Sequence, residues 1–184
     1  MAGERKQQIL ETLAKMLESP KREKITTAAL AAKLDVSEAA LYRHFAGKAQ
    51  MFESLIDFIE QTLFGLINKI TTEETDGIAQ VRRTVGVLLM FAEKNPGMTR
   101  VLIGDALVNE NEALQQRVNQ MLDRLEITIK QSLKIAVTDT GKKILPEAQA
   151  NLIMSFVIGR WHQYAKSGFK RKPMEFAQLQ LQFI

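Results

Sequence analysis

The chain has no cysteine, one tryptophan, four prolines and only two histidines among its 184 residues. Without cysteine there can be no disulfide, thiolate metal site or cysteine nucleophile, and a reducing compartment is the matching expectation. The two histidines, His44 and His162, lie far apart in sequence and in different elements. Metal binding and histidine-based catalysis therefore lack a cluster to start from. No HExxH, Walker A, GxSxG or dinucleotide glycine pattern occurs. Glu73, Glu74 and Asp76 form a charge run that reads as a solvated loop. No enzyme activity, metal or cofactor is expected.

Long apolar runs are missing too. The longest, "VGVLLMFA" at residues 85–92, is far short of the roughly 20 residues that span a bilayer. "MAGERKQQ" carries charge with no apolar stretch behind it, unlike a signal peptide. A soluble, cytoplasmic protein is the expectation. Valine and isoleucine never alternate strictly with polar residues, so no strand is predicted.

What the chain does have is helical periodicity almost throughout. Ile9, Leu10, Leu13, Met16 and Leu17 predict a first helix over 4–18, closed by Ser19-Pro20 and a polar linker "PKREK". Thr26 or Thr27 caps a short helix to Leu34, Asp35 makes a turn, and Ser37 caps another helix ending near Phe45. Gly47 precedes a long helix over 48–70. Further helices are predicted over 77–95, 98–107, 111–137, 146–167 and 173–184, with Asn95-Pro96-Gly97 as one break and Gly141 to Pro146 bracketing a loop. The fold class is all-α with about nine helices, divided into a head, residues 1–47, and a helical body, residues 48–184.

Net charge is +4, and residues 1–50 hold nine Lys/Arg against six Asp/Glu. A basic N-terminal module points to a polyanion. Two short helices around the turn at Asp35 match a helix-turn-helix. Small residues Ala28, Ala29, Ala31, Ala32, Ala39 and Ala40 suit a close crossing, and Leu30, Leu34, Val36 and Leu41 suit a small core. Ser37, Ala40 and His44 share an outward face at i, i+3 and i+7. They are candidates to read base edges in a major groove, with Ala40 suited to a thymine methyl. Tyr42, Arg43 and Lys48, with the hydroxyls of Thr26 and Thr27, are candidates for the phosphate backbone. Glu38 should face a base donor or solvent.

The helix over 146–167 is apolar nearly all round, through Leu152, Ile153, Met154, Phe156, Val157, Ile158, Trp161 and Tyr164. Such a helix is buried on more than one side. A twofold homodimer with Met154, Ile158 and Trp161 at its interface is the economical expectation. The basic cluster Lys166, Lys170, Arg171 and Lys172 reads as a solvated connection, with an anionic partner second.

"SEAALYRHFAGKAQMFESL" resembles the signature of TetR-family regulators, in which a recognition helix ending in Tyr-x-His-Phe leads through a Gly-Lys step into a long fourth helix. Asp35 stands where glycine is usual and Ala46 where proline is common. The resemblance implies a TetR-like fold, with a helix-turn-helix head that binds palindromic double-stranded DNA and a C-terminal dimerisation and regulatory body. "EKNPGMTRVLIGDAL", "RVNQMLDRLE" and "SGFKRKP" are further similar to the nucleoid occlusion factors of that family. That likeness implies a nucleoid-associated inhibitor of cell division that binds chromosomal sites and the C-terminal tail of FtsZ, and restrains Z-ring assembly. The tail would lie along the fourth and fifth helices, at Phe58, Leu66, Val87, Met90, Lys94 and Asn95. Leu66 stands where better-known relatives carry arginine, and Met90 where they carry a small residue. The alternative is a ligand-responsive TetR repressor with an apolar pocket near Phe91, Met121 and Phe156.

Overall fold

The computed structural model describes residues 2–19, 25–108, 110–140 and 145–183. The predicted linker at 20–24 and loop at 141–144 lie outside the described residues. Among those described there are nine α-helices and no strand: α1 Ala2–Leu17, α2 Thr27–Lys33, α3 Glu38–Tyr42, α4 Lys48–Glu73, α5 Gly77–Lys94, α6 Pro96–Leu102, α7 Glu112–Thr140, α8 Pro146–Lys166 and α9 Ala177–Gln180. Short 3₁₀ turns follow α6, at Asp105–Leu107, and α9, at Leu181–Phe183.

Two predicted helices are interrupted. The expected 98–107 helix ends at Leu102, because Gly104 turns the chain with φ 77°. The expected 173–184 helix begins only at Ala177, after Phe176 in the left-handed region at φ 62°.

The described chain forms two compact units. The first takes in residues 1–59 and 95–118, so the expected head at 1–47 lies within it together with the start of α4. Ile9, Leu13 and Leu17 form the buried stripe of α1, four residues apart as a helix face requires. The α1–α6 approach is close: a Cβ on Gly97 would come within 1.9 Å of the Ala14 carbonyl oxygen. Arg100 then closes the end of α1. Its guanidinium donates to the carbonyls of Leu17 and Ser19, each at 3.1 Å, and to Asp105 at 2.7 Å, satisfying carbonyls that a helix end leaves open.

The second unit comprises residues 60–94 and 119–184. Here α5 buries Val81, Val85, Leu88, Leu89 and Ala92, and α8 buries Ile153, Met154, Val157 and Trp161. The Trp161 indole N–H donates to the Leu88 carbonyl at 3.2 Å, which answers the polar end of an otherwise fully buried ring. Buried Gln80 accepts from Ser132 Oγ at 2.7 Å and donates to the Glu74 carbonyl at 2.7 Å. Gly77 lets α5 start against α7, where a Cβ would lie 2.3 Å from the Ser132 carbonyl oxygen.

One expectation is corrected at this level. Met154 and Trp161, assigned to a dimer face, are 2% and 0% exposed within the single chain. They fill the chain's own core and leave nothing for a partner to cover. Ile158 is half-buried, and the outward apolar residues of these helices are Ile127 and Ile135 on α7 and Leu152 on α8.

Candidate nucleic-acid interface

The head is assembled from local signals. Thr26 caps α2, its hydroxyl accepting from Ala29 N at 3.1 Å, and Ser37 caps α3, accepting from Ala40 N at 3.2 Å. Between them Asp35 takes the left-handed conformation, φ 54°, which aspartate reaches more readily than most residues. Buried Leu30, Ala31, Leu41 and Phe45 hold the two helices together, and the Lys6 ammonium lies 5.6 Å from the centre of the Phe45 ring. Of the alanines expected at the crossing only Ala31 is buried. Ala28, Ala29, Ala32 and Ala39 are exposed and Ala40 is half-buried, because α3 has only five residues and touches α2 along a short line.

The candidate contacts then separate into two sets. Tyr42, 49% exposed, and Arg43 project outward. Arg43 makes no ion pair among the described residues, so its five donors are available to an anion. His44 and Ala40 sit half-buried beside them, and Ser37 is exposed with its hydroxyl engaged in the cap. The second set is already used within the unit. Thr27 donates to Glu38 Oε2 at 2.6 Å, tying the start of α2 to the start of α3. Lys48 Nζ donates to the Ile25 carbonyl at 2.8 Å and meets Glu110 Oε1 at 2.5 Å. The Lys48 and Glu110 side chains are only 18% and 12% exposed.

The candidate partner residues fall in both units. In the second, Leu66 and Met90 are 46% and 44% exposed, Lys94 is exposed and Val87 is half-buried. Val87, Met90 and Lys94 follow one face of α5 at i, i+3 and i+7. In the first, Phe58 is 38% exposed, and Asn95 is half-buried at the start of α6, where its carbonyl accepts from Thr99. Phe91 and Met121, expected to line a ligand pocket, are buried in packed helix faces, and Phe156 is half-buried. No group of acidic or histidine side chains among the described residues is arranged to hold a metal ion, and no described helix is long and apolar enough to cross a membrane.

Residues 22–55 match the family described as bacterial regulatory proteins, tetR family, and residues 75–184 match the SlmA-like tetracyclin repressor-like C-terminal domain. The chain is similar to the nucleoid occlusion factor SlmA of Colwellia psychrerythraea, 47% identical over 98% of this chain and 92% of that protein. It is 49% identical to the SlmA of Shewanella loihica over the same shares. The chain belongs to the SlmA family. Its fold is that of the wider TetR family: a TetR-family transcriptional regulator from Agrobacterium tumefaciens superposes with a TM-score of 0.81 at 15% identity, covering 100% of this chain and 99% of that one.

As a SlmA-family head, α2 and α3 form the helix-turn-helix that meets DNA. Sequence reasoning found the caps, the turn and the outward Tyr42-Arg43 pair. It missed the Thr27–Glu38 bond, although both residues sit at helix starts that a helix-turn-helix brings together. It also missed Glu110 as the partner of Lys48, because a separation of 62 residues leaves no local pattern.

Proposed function

We propose that the chain is a nucleoid occlusion factor: a homodimer that binds palindromic chromosomal DNA, associates with the nucleoid, and holds the C-terminal tail of FtsZ so that the Z ring does not assemble over DNA. The observation that carries this reading is identity of nearly half to SlmA over almost the whole of both chains. A shared head alone would support DNA binding without division control. Here the likeness extends through α5 to α9.

Within that function, Arg43 and Tyr42 supply phosphate contacts that fix register, while Ala40 and His44 face base edges. Ser37 and Thr26 order the backbone that carries them, and Thr27 ties α2 to α3. Lys48 positions the head through Ile25 and Glu110. A twofold axis formed by the outward faces of α7 and α8, at Ile127, Ile135, Leu152 and Ile158, would set two recognition helices about 34 Å apart for successive major grooves. Leu66, Val87, Met90 and Lys94 in the second unit, and Phe58 and Asn95 in the first, are the residues offered to the tail. Apolar Met90 and Leu66 suit its apolar residues, and Lys94 suits an acidic one.

Titration of a labelled FtsZ C-terminal peptide against the purified protein, with and without a palindromic duplex, tests the reading. Saturable binding that Met90→Asp or Lys94→Glu abolishes is expected. Failure to bind under either condition would leave a DNA-binding regulator without this partner.

A further inference from the structure

The segment that closes α8, "KSGFKRKP" at residues 166–173, is built as a rigid knuckle. Ser167 ends the helix and Gly168 and Phe169 turn back with φ 63° and 64°. Phe169 N–H donates to the Tyr164 carbonyl at 2.9 Å and Gly168 N–H to Ala165 at 3.2 Å, the paired bonds of a Schellman cap. The Phe169 ring packs edge-on to Tyr164, centroids 5.1 Å apart, the apolar contact that accompanies such a cap. Ser167 Oγ accepts from the backbone N–H groups of Lys170 and Arg171, at 3.1 and 2.8 Å. From the other side the Arg160 guanidinium gathers the carbonyls of Lys172, Pro173 and Glu175, at 2.5 to 3.2 Å.

The knuckle is fastened to the end of α5 at Glu93. The Tyr164 hydroxyl donates to the Glu93 carbonyl at 3.0 Å, the Met174 N–H donates to Glu93 Oε2 at 3.2 Å, and Lys172 Nζ lies 3.7 Å from Glu93 Oε1. The next residue is Lys94. Residues 160–175 hold five Lys/Arg against one acid, a surplus equal to the formal +4 of the whole chain. Arg160 and Lys172 are committed to holding the loop. Lys166, Lys170 and Arg171 are exposed and make no ion pair among the described residues. The carbonyls at the end of α8 are closed by the cap, so these cations are not needed there as hydrogen-bond donors.

We propose that this knuckle is a docking site for an acidic polypeptide segment, with Lys166, Lys170 and Arg171 as its carboxylate contacts. Fixing their backbone in advance lowers the ordering cost of binding. Arginine can take a carboxylate through two parallel bonds. A peptide is favoured over a phosphate backbone, since the same unit also exposes the apolar side chains Met90, Phe176 and Leu179. The site extends the Met90–Lys94 face of α5, and it rests on the FtsZ-tail reading only for which acidic segment is presented there.

The test uses the full chain and three labelled probes: decaglutamate, the FtsZ tail peptide and a palindromic duplex. The protein should bind decaglutamate saturably at low salt. Lys170→Glu with Arg171→Glu should weaken that binding about tenfold or more, and Lys170→Gln with Arg171→Gln should fall between. Both variants should keep the unfolding midpoint, because the side chains are exposed, and duplex affinity within about twofold. No binding of decaglutamate by the native protein overturns the proposal, as does a parallel loss of duplex affinity, which would make the knuckle a phosphate contact. Decaglutamate binding without tail-peptide binding would support the knuckle while removing the FtsZ reading.

Discussion

Lys48 and Glu110, 62 residues apart in sequence, form a largely enclosed ion pair at 2.5 Å, and the same ammonium holds the Ile25 carbonyl just before the recognition module. The first turn of α4 is thereby tied both to the entry of α2 and to the segment after α6. Under the proposed function, Lys48 would act on DNA binding by fixing where the head sits, and Arg43 and Tyr42 would be left to meet the phosphates.

Removing either partner strands a mostly enclosed charge. Glu110→Ala and Lys48→Met should each lower unfolding free energy by about 1–3 kcal/mol. The double variant should lose less than the sum of the two. Urea unfolding of the three variants measures the coupling. Strict additivity would mean that the pair contributes nothing as a pair.

Arg43→Ala should weaken binding to specific and random duplexes alike, and should reduce the slope of log affinity against log salt by about 1. Tyr42→Ala should also act on every sequence. Changes at His44 should instead alter which sequence is preferred. Equilibrium binding across a set of single-base operator variants at two salt concentrations separates these effects, and uniform losses at His44 would place it on the backbone.

Ser37→Ala should cost about 1 kcal/mol through loss of the α3 cap. Ser37→Asp retains an acceptor for the Ala40 N–H and should recover that stability, yet its negative charge should weaken DNA binding. Thermal unfolding read beside duplex affinity distinguishes the cap from a direct base contact.

Gly97→Ala should destabilise the first unit by about 1–3 kcal/mol or more. The added methyl meets backbone, the Ala14 carbonyl oxygen at 1.9 Å, and backbone yields less readily than a side chain. Calorimetry should show the loss, whereas Gly65→Ala, with open space around it, should be neutral or slightly stabilising.

Leu152→Glu should shift the protein from dimer to monomer, because this residue is 62% exposed on α8 and would bring charge to an apolar contact. Trp161→Phe should leave the assembly state unchanged and lower stability, by losing the bond to Leu88 and part of the core volume. Sedimentation analysis of both variants decides whether the dimer face is the outward one.

The sequence by itself determined most of the helices, though not the breaks at Gly104 and Phe176, together with the two caps and the left-handed turn at Asp35. Each depends on residues within a few positions, where periodicity and side-chain-to-backbone bonds act. It also pointed to the head and to the family, through the run from Ser37 to Lys48. Only the tertiary structure decided which side of an apolar helix is core. On α8 the periodicity could not separate Trp161, whose indole bonds to Leu88, from Leu152, which faces out. Nor could sequence say which cation is free. A lysine or arginine reaches several ångströms, and its partner is whatever the fold brings there. For Lys48 that is Glu110, for Arg160 a row of carbonyls, and for Arg43 open solvent where the DNA is proposed to lie.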